Sequence, residues 1–356
     1  MTHVIITGTG SCIPEVRITN EEFLHQTFYD KNGSKLYQNS NTTILKFAEI
    51  TGIEERRYAL PHQNSSDLGY IAATQAISNA KIDKESIDYI IVAHNFGDVP
   101  SESNRSNQVP TLASRIKALL EIKNPDCIAY DLPFGCPGWV EGVIQAKYFI
   151  QSGDAKTCLV IGTETLSRII DPYDRDSMIF SDGAGAVILE ASTTNGSGIL
   201  SHKTQTHALG YIETLNMDHS YSPFDENKEN VYLKMAGRKV YEFAITHVPT
   251  LIRDAIDKSG KRIEDIKKVL IHQANEKMDY AILERVFQLY GKKSVSKDIM
   301  PMTIQNLGNS SVATVPTLLD LLLRGQLEEH HVNPGDVIVL ASVGAGMNIN
   351  AIVYQV

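Results

Sequence analysis

Two stretches in different parts of this chain follow one plan, and that repetition limits the fold more than any single motif. The first runs from a helix-like segment, Ala73-Thr74-Gln75-Ala76-Ile77, through a charged connector, Lys81 to Asp88. It ends in a β-branched strand, Tyr89-Ile90-Ile91-Val92-Ala93, and the polar pair His94-Asn95. The second has the same parts: Leu251 to Ile256, Lys261 to Lys268, Val269-Leu270-Ile271, and then His272-Gln273-Ala274-Asn275. Another pair matches as well. Cys136 precedes apolar residues at helical spacing (Val140, Val143, Ile144, Ala146, Phe149, Ile150), then Gly153-Asp154, then a strand from Cys158 to Ile161. Asn309 precedes Val315, Leu318, Leu319, Leu322 and Leu323, then Gly335-Asp336, then a strand from Val337 to Leu340. The pattern predicts an internal duplication, with one half over 1–190 and the other over 191–356. Strands alternating with helices imply an α/β protein with parallel sheets covered on both faces. Ligand sites in such sheets lie at the carboxyl ends of strands. Cys136, His272 and Asn309 all fall at predicted strand ends or helix starts, so pairing of the halves can bring them together.

A chain of 356 residues is long enough for two domains or one large duplicated one. Its 42% apolar and 21% charged content fits a folded globular protein. The formal charge of −9 argues against a general nucleic-acid binder. No apolar run reaches the ~20 residues of a membrane helix. The start, Met1-Thr2-His3-Val4-Ile5-Ile6, reads as a first strand and not as a secretory leader, so a cytoplasmic location is expected. The cysteines are Cys12, Cys127, Cys136 and Cys158. They form no CxxC pair, and no His or Cys cluster has zinc spacing, so neither a disulfide framework nor a metal site is expected. Gly8-Thr9-Gly10-Ser11 lacks the third glycine of a dinucleotide loop and meets Pro14 where a helix should begin, so it reads as a turn. Ser66-Asp67 reads as the cap of a helix over 67–79. Residues 94–110 and 204–234 are polar and loop-rich, and 204–234 suits either a substrate loop or an insertion.

Cys136 stands in Phe134-Gly135-Cys136-Pro137-Gly138-Trp139. A thiol at a helix start faces unpaired backbone N–H groups and the positive end of the macrodipole. Such positions lower a cysteine pKa from about 8.5 toward about 7 or below. The alternative is a packed structural cysteine, since free Cys is among the most buried residue types.

Several stretches, in this order, resemble the ketoacyl-acyl-carrier-protein synthase III family of thiolase-like condensing enzymes. They are Gly8-Thr9-Gly10-Ser11 with Pro14, Thr51-Gly52-Ile53-Glu54-Glu55-Arg56, Gly135-Cys136-Pro137-Gly138-Trp139, His272-Gln273-Ala274-Asn275 and Gly308-Asn309-Ser310-Ser311. Phe180-Ser181-Asp182-Gly183-Ala184-Gly185-Ala186 and Lys234-Met235-Ala236-Gly237 are similar too. The resemblance implies a duplicated αβαβα fold with two mixed, largely parallel sheets. It implies a Cys-His-Asn triad at Cys136, His272 and Asn309, with Cys136 as the acyl-carrying nucleophile. His272 and Asn309 would stabilise the enolate of a malonyl-type thioester, and backbone N–H groups of Cys136 and Ala345 would form the oxyanion hole. It implies no cofactor, a homodimer, and acyl carrier protein or coenzyme A thioesters as partners.

The departures from the family bear on substrate choice. Where the family clamps the adenine of coenzyme A with Trp and Arg, this chain offers Lys46, Phe47 and Ile50, while Arg175 survives after Asp171-Pro172. A carrier-bound donor becomes the expectation. The family's pocket-closing Phe is replaced near Val109, which implies a larger acyl pocket. Phe134, Pro137 and Trp139 differ around the nucleophile, and Phe134, Trp139, Val109, Arg175 and Asn275 are the expected substrate-binding residues. They point to a specialised paralogue, such as one making resorcinol or cyclohexanedione lipids or polyketides. Lys234, Arg238, Lys239, Arg262 and Lys277 are candidates for a basic patch toward an acidic carrier, each otherwise an ordinary surface charge. His94, His330 and His331 lie outside the pattern and read as structural. Three alternatives remain: an acyltransferase acting on oxygen or nitrogen, a silent paralogue that only binds, and a papain-like hydrolase.

Overall fold

Along the strand Thr157–Thr165, Cys158 and Val160 enter one apolar cluster while Leu159 and Ile161 enter another. The strand Val337–Gly344 divides in the same way: Ile338 and Leu340 join the first cluster, and Val337, Val339 and Ala341 join a third. Side chains alternate across a strand, so each sheet is buried on both faces and one cluster is shared between them.

The computed structural model describes residues 2–36, 40–193 and 197–356. In chain order its first elements are β1 (His3–Cys12), β2 (Val16–Thr19), α1 (Ser40–Thr51), β3 (Glu55–Tyr58), α2 (Ser65–Ala80), β4 (Tyr89–Ala93), α3 (Leu112–Leu119), β5 (Ile128–Leu132), α4 (Gly138–Ser152), β6 (Thr157–Thr165) and β7 (Asp182–Ser192). The rest are β8 (Gly198–Thr206), β9 (Leu215–Asp218), β10 (Tyr232–Met235), α5 (Gly237–Ser259), β11 (Ile266–Ile271), α6 (Glu276–Leu289), α7 (Ile304–Leu307), α8 (Thr314–Leu323), β12 (Val337–Gly344) and β13 (Asn348–Gln355).

One sheet has the order β1-β7-β6-β4-β5 and the other β11-β12-β13-β8. Helices α4 and α8 fill the space between them, where Val143, Ile144, Leu318 and Leu322 pack with Val187 and Leu189 of one sheet and Leu340 and Ile352 of the other. Helices α2 and α3 cover the outer face of the first sheet, and α5 and α6 cover that of the second. The layers are therefore αβαβα. The expectation of largely parallel sheets needs correction. β4 pairs in parallel with β5 and β6, and β11 with β12, but the other ladders of these two sheets are antiparallel. A parallel neighbour needs a crossover, usually a helix. β12 returns into β13 through Ala345–Met347 alone, and β6 returns into β7 through residues 166–181, which hold two short 3-10 turns and no α-helix.

Gly8 and Gly10 are part of β1 and not a turn. A Cβ on Gly8 would lie 2.4 Å from the Ala76 carbonyl of α2, and one on Gly10 2.3 Å from that of Ala72. Thr9 and Ser11 face the other way and donate to the two carboxylate oxygens of buried Asp320 on α8, at 2.7 and 2.6 Å. The motif is thus a packing device that brings β1 against helices on both sides. Helix α2 begins at Ser65, earlier than expected, because Asn64 caps it: the Asn64 N–H donates to Asp67 Oδ2 at 2.8 Å. The long motif ending in Arg56 is also structural. Arg56 is fully buried and donates to Met178 O, Ile18 O and Asn20 Oδ1.

Asp279 stands out on α6. It is fully buried beside apolar positions of the helix, and neither carboxylate oxygen has a hydrogen-bond partner. Burial pushes its pKa well above the carboxylate range, with Glu276 adding to the effect. The folded state therefore keeps a proton that the unfolded chain releases near pH 3.9. Stability from this site is present at low pH and is lost as pH rises through the folded-state pKa. Asp279→Leu should raise stability by about 1–3 kcal/mol at pH 7 and by less near pH 4. Urea melts of both proteins at the two pH values test this; equal gains at both would show that Asp279 is not held protonated.

Candidate active site

Cys136 lies in the loop between β5 and α4, two residues before the helix begins. Its surroundings come from the far end of the chain. Gly135 has φ of +68°, and a Cβ there would meet the Ala345 N at 2.9 Å. A Cβ on Gly344 would lie 2.6 Å from the Cys136 N. The Cys136 loop and the β12–β13 turn interleave so tightly that neither glycine could carry a methyl group. The contact aims the Cys136 and Ala345 backbone N–H groups at the thiol. Two such donors converging on one point suit negative charge that develops beside Sγ.

His272 follows the last residue of β11 and is anchored through its backbone N–H to Ala341 O at 2.9 Å. Gln273 ties this strand end to the segment before α7, donating to Pro301 O at 2.8 Å and accepting from Thr303 N at 2.8 Å. Asn309 is stitched to the end of the 175–179 turn: its N–H donates to Ile179 O at 2.9 Å, and its carbonyl accepts from Ser181 N at 2.8 Å. Its Oδ1 accepts from Ser311 N at 2.9 Å, so Nδ2 is the atom turned to donate.

Three of these lines meet at Ser311. Its Oγ is 3.2 Å from Cys136 Sγ, its N–H holds Asn309, and its backbone interacts with the His272 ring. Ser311 adopts φ of +54°, an uncommon conformation for a residue with a side chain. Ser311 ends the stretch Gly308-Asn309-Ser310-Ser311, where its local sequence assigns it no role. Behind Ser311 lie Asn95 and the buried carboxyl of Glu164, neither of which the sequence singles out. The available signal was an acid ending a strand that is otherwise uncharged.

His272 and Asn309 are buried and Cys136 partly so, and that burial sets the electrostatics of the site. Burial pushes the Cys136 thiol up to about 11, although Ser311 and the two backbone N–H groups pull it down. The expectation of a lowered pKa is therefore corrected: desolvation outweighs the helix start in the resting site. Burial also pushes His272 down to about 4, with the Ser311 backbone opposing, so its imidazole is neutral at pH 7. Its Nδ1 is buried without a hydrogen-bond partner.

The other expected residues are scattered. Arg175 and Asn275 line a cleft of about 400 Å³ with Lys46, Phe47, Ile50, Arg238 and Ala274, two residues from His272. Asn275 also caps α6, accepting from Met278 N at 3.0 Å. Phe134 is half-buried two residues before Cys136. Trp139 is not at the site: it is fully buried in the layer between the sheets, and its indole N–H donates to Val160 O at 3.3 Å. Val109 is 86% exposed on the loop before α3. Of the basic candidates, Lys234 is no surface charge. It is buried, paired with Asp171 and Asp174, and lies 3.4 Å from the centre of the Tyr221 ring. Arg238, Lys239, Arg262 and Lys277 are exposed. His94 is held by Asp131 and by Gly97 N, each at 2.9 Å, as a structural residue. Among the described residues, no cluster of three or more His, Cys, Asp or Glu could hold a metal ion.

Comparison with known proteins decides the family. The model of 3-oxoacyl-[acyl-carrier-protein] synthase III matches residues 130–208, and that of its C-terminal part matches 256–356. β-Ketoacyl-[acyl-carrier-protein] synthase III 1 of Vibrio vulnificus is 35% identical, over 96% of each chain. The chain belongs to the 3-oxoacyl-[acyl-carrier-protein] synthase III family. It is a condensing acyltransferase of the β-ketoacyl synthase III type, the kind that serves fatty acid biosynthesis. The synthase III of Clostridium acetobutylicum is 33% identical over 100% of this chain and 99% of its own. The crystal structure of the Thermus thermophilus synthase III superposes with a TM-score of 0.80 at 28% identity, covering 99% of each chain, so the thiolase-like fold is shared.

Gly344 tests the interleaved oxyanion hole without backbone strain, because its φ of −171° suits any residue. Gly344→Ala should lower the condensing rate by about 10²–10³-fold, the usual effect of misplacing one oxyanion donor. Turnover measured beside a thermal melt separates this from unfolding, and a variant that folds and keeps its full rate would remove this turn from the hole.

Proposed function

We propose that Cys136 takes an acyl group from a thioester donor and that His272 and Asn309 then generate the carbon nucleophile that removes it. The observation that carries this reading is the convergence on Ser311: the thiol, the imidazole and the carboxamide all contact one residue, beside two backbone donors aimed at Sγ. Attack by the thiolate puts negative charge on the acyl carbonyl oxygen, where the Cys136 and Ala345 N–H groups receive it. A malonyl-type thioester next places its carbonyl against His272 and Asn309 Nδ2. Loss of carbon dioxide builds an enolate on that oxygen, and neutral donors stabilise charge that exists only in the transition state. The enolate carbon then attacks the acyl-cysteine, forming the C–C bond and releasing Cys136.

The donor arm enters by the cleft between α1 and the start of α5. Phe47, Ile50 and Met235 offer an apolar wall, and Lys46, Arg175 and Arg238 line the same cleft with positive charge that suits a phosphate. With no Trp to stack on adenine, an acyl carrier protein fits this mouth better than free coenzyme A. Arg238 and Lys277 supply exposed positive charge near it, each already facing an acid, Glu242 and Glu49. The working unit is a homodimer in the cytoplasm. β5 lies at the edge of its sheet, and Val109, otherwise without cover, would close the partner's acyl pocket. A valine there leaves room for a medium or long chain, which favours a specialised enzyme of lipid or polyketide synthesis.

Intact-mass spectrometry after incubation with acyl-carrier and acyl-coenzyme A donors identifies the group held on Cys136. Asn309→Ala should keep acylation of Cys136 within a few-fold while condensation with malonyl thioester falls by about 10²-fold or more. Loss of acylation as well would mean that Asn309 serves mainly to hold Ser311 and the thiol.

A further inference from the structure

The cleft beside α1 and α5 is lined by an acid as well as by cations. Asp176 stands on its wall with Lys46, Arg175 and Arg238. The backbone there is fixed, because the Asp176 N–H donates to Asp174 Oδ1 at 3.0 Å. Asp176 Oδ1 lies 3.4 Å from Arg175 Nε, and Oδ2 lies 3.5 Å from where a Cβ on Gly237 would stand. Gly237 is the first residue of α5, a helix of 23 residues with no side-chain cap and no acid in its first turn. A helix start with free N–H groups receives phosphate readily. Here the protein's own carboxylate stands beside that start. The other cations at this mouth are compensated in the same manner: Arg238 faces Glu242 at 2.9 Å, and Lys277 faces Glu49 at 3.5 Å. Among the described residues, Lys46 is the one cation of these four that forms no ion pair. Lys46, Arg175, Arg238 and Lys277 thus meet Asp176, Glu242 and Glu49, and the mouth keeps one positive charge.

We propose that Asp176 is a specificity-determining residue that turns this cleft against the nucleotide end of free coenzyme A, leaving the phosphopantetheine of a carrier protein as the favoured donor arm. The two donors share pantetheine and differ in charge. On a carrier the arm is joined through a phosphodiester with a single negative charge. Coenzyme A adds a second phosphate and a 3′-phosphate, and carries about four negative charges at pH 7. A mouth with one uncompensated cation matches the carrier-borne arm. Coenzyme A brings surplus negative charge to a wall where Arg175 and the start of α5 already face a carboxylate. The effect is one of charge at an exposed rim, since Arg175 and Asp176 keep 52% and 38% of their side-chain surface in solvent. It must therefore weaken as salt is added.

This inference rests on the cleft being the donor's entrance and on Cys136 as the acyl acceptor, and its test separates the three. One acyl group is presented on pantetheine, on coenzyme A and on an acyl carrier protein. The second-order rate of Cys136 acylation is followed by intact mass in the full chain, in Asp176→Asn and in Lys46→Ala. The unsubstituted protein should take the carrier-borne donor faster than acyl-coenzyme A. In Asp176→Asn the rate with acyl-coenzyme A, divided by that with uncharged acyl-pantetheine, should rise about fivefold or more, the effect of removing one like charge near an exposed phosphate. In about 0.5 M salt, where charges are screened within a few ångströms, the rise should shrink to about twofold or less. Lys46→Ala should lower the same ratio. If Lys46→Ala lowers it while Asp176→Asn leaves it unchanged, the cleft admits the donor without selection by Asp176, and the inference alone falls. A rise that persists in high salt overturns it as well, because it reports fit and not charge. Faster acylation from coenzyme A than from the carrier in the unsubstituted protein does the same. If neither variant moves the ratio, the donor enters elsewhere, and the inference falls together with the cleft assignment. If no donor acylates Cys136, the nucleophile reading itself fails.

Discussion

Helices α4 and α8 are buried from both sides, and the rest of the molecule depends on that burial. A helix packed between two sheets must present apolar or small residues around most of its surface. Helix α8 does so from Thr314 to Asp320 without one exposed position. Its one acidic side chain, Asp320, accepts hydrogen bonds from the hydroxyls of Thr9 and Ser11 and faces Arg324 at 3.5 Å. Helix α4 meets the sheets through small residues at Gly138 and Gly142 and through the fully buried Trp139. The two loops that lead into these helices carry Cys136 and the Asn309–Ser311 segment. Packing the helices in one layer brings those loops together, so the reacting centre is a by-product of how the core is filled.

The same packing removes water, and the consequence is a site that rests without charge on its reacting groups. Cys136, His272 and Glu164 are each displaced toward the neutral form, for one reason: their charged forms lose solvation. Fixed donors act more strongly in such a partly desolvated place, since the effective dielectric is lower than in water. Such a centre gives up reactivity in its resting state and concentrates stabilisation on charge that arrives with substrate. A helix start alone, exposed to solvent, would have given the opposite balance, which is why reading Cys136 from its local sequence pointed to a lowered pKa.

Much of this was legible in the chain. The duplicated order of helix and strand marked the layers, and β-branched runs such as Cys158 to Ile161 marked strands buried on both faces. The strand-end position of His272 was visible because it follows an apolar run and precedes a helix, whereas Asn309 follows the short helix α7 and leads into α8. What was hidden depended on neighbours distant in sequence. Gly8-Thr9-Gly10-Ser11 looked like a turn because its glycines answer to α2 and its hydroxyls to Asp320. Trp139 looked like a pocket residue because periodicity cannot say which side of a doubly buried helix faces substrate. Lys234 looked like surface charge because its counter-ions, Asp171 and Asp174, lie some sixty residues earlier. Ser311, Asn95 and Glu164 are ordinary residues singly and meaningful only as a contact.

The interleaving of the Cys136 loop with the β12–β13 turn has a bearing on biogenesis. Cys136 and Ser311 are 175 residues apart, and the second oxyanion donor lies further on still. Contacts of that separation form late, after the loop-closure entropy of the whole intervening chain has been met. A chain emerging N-terminal end first carries Cys136 for most of its synthesis without the groups that surround it in the fold. Assembly of the groups around the thiol is thus coupled to completion of the fold, and an incompletely folded copy carries an ordinary cysteine with a pKa of about 8.5 and no fixed donors beside it.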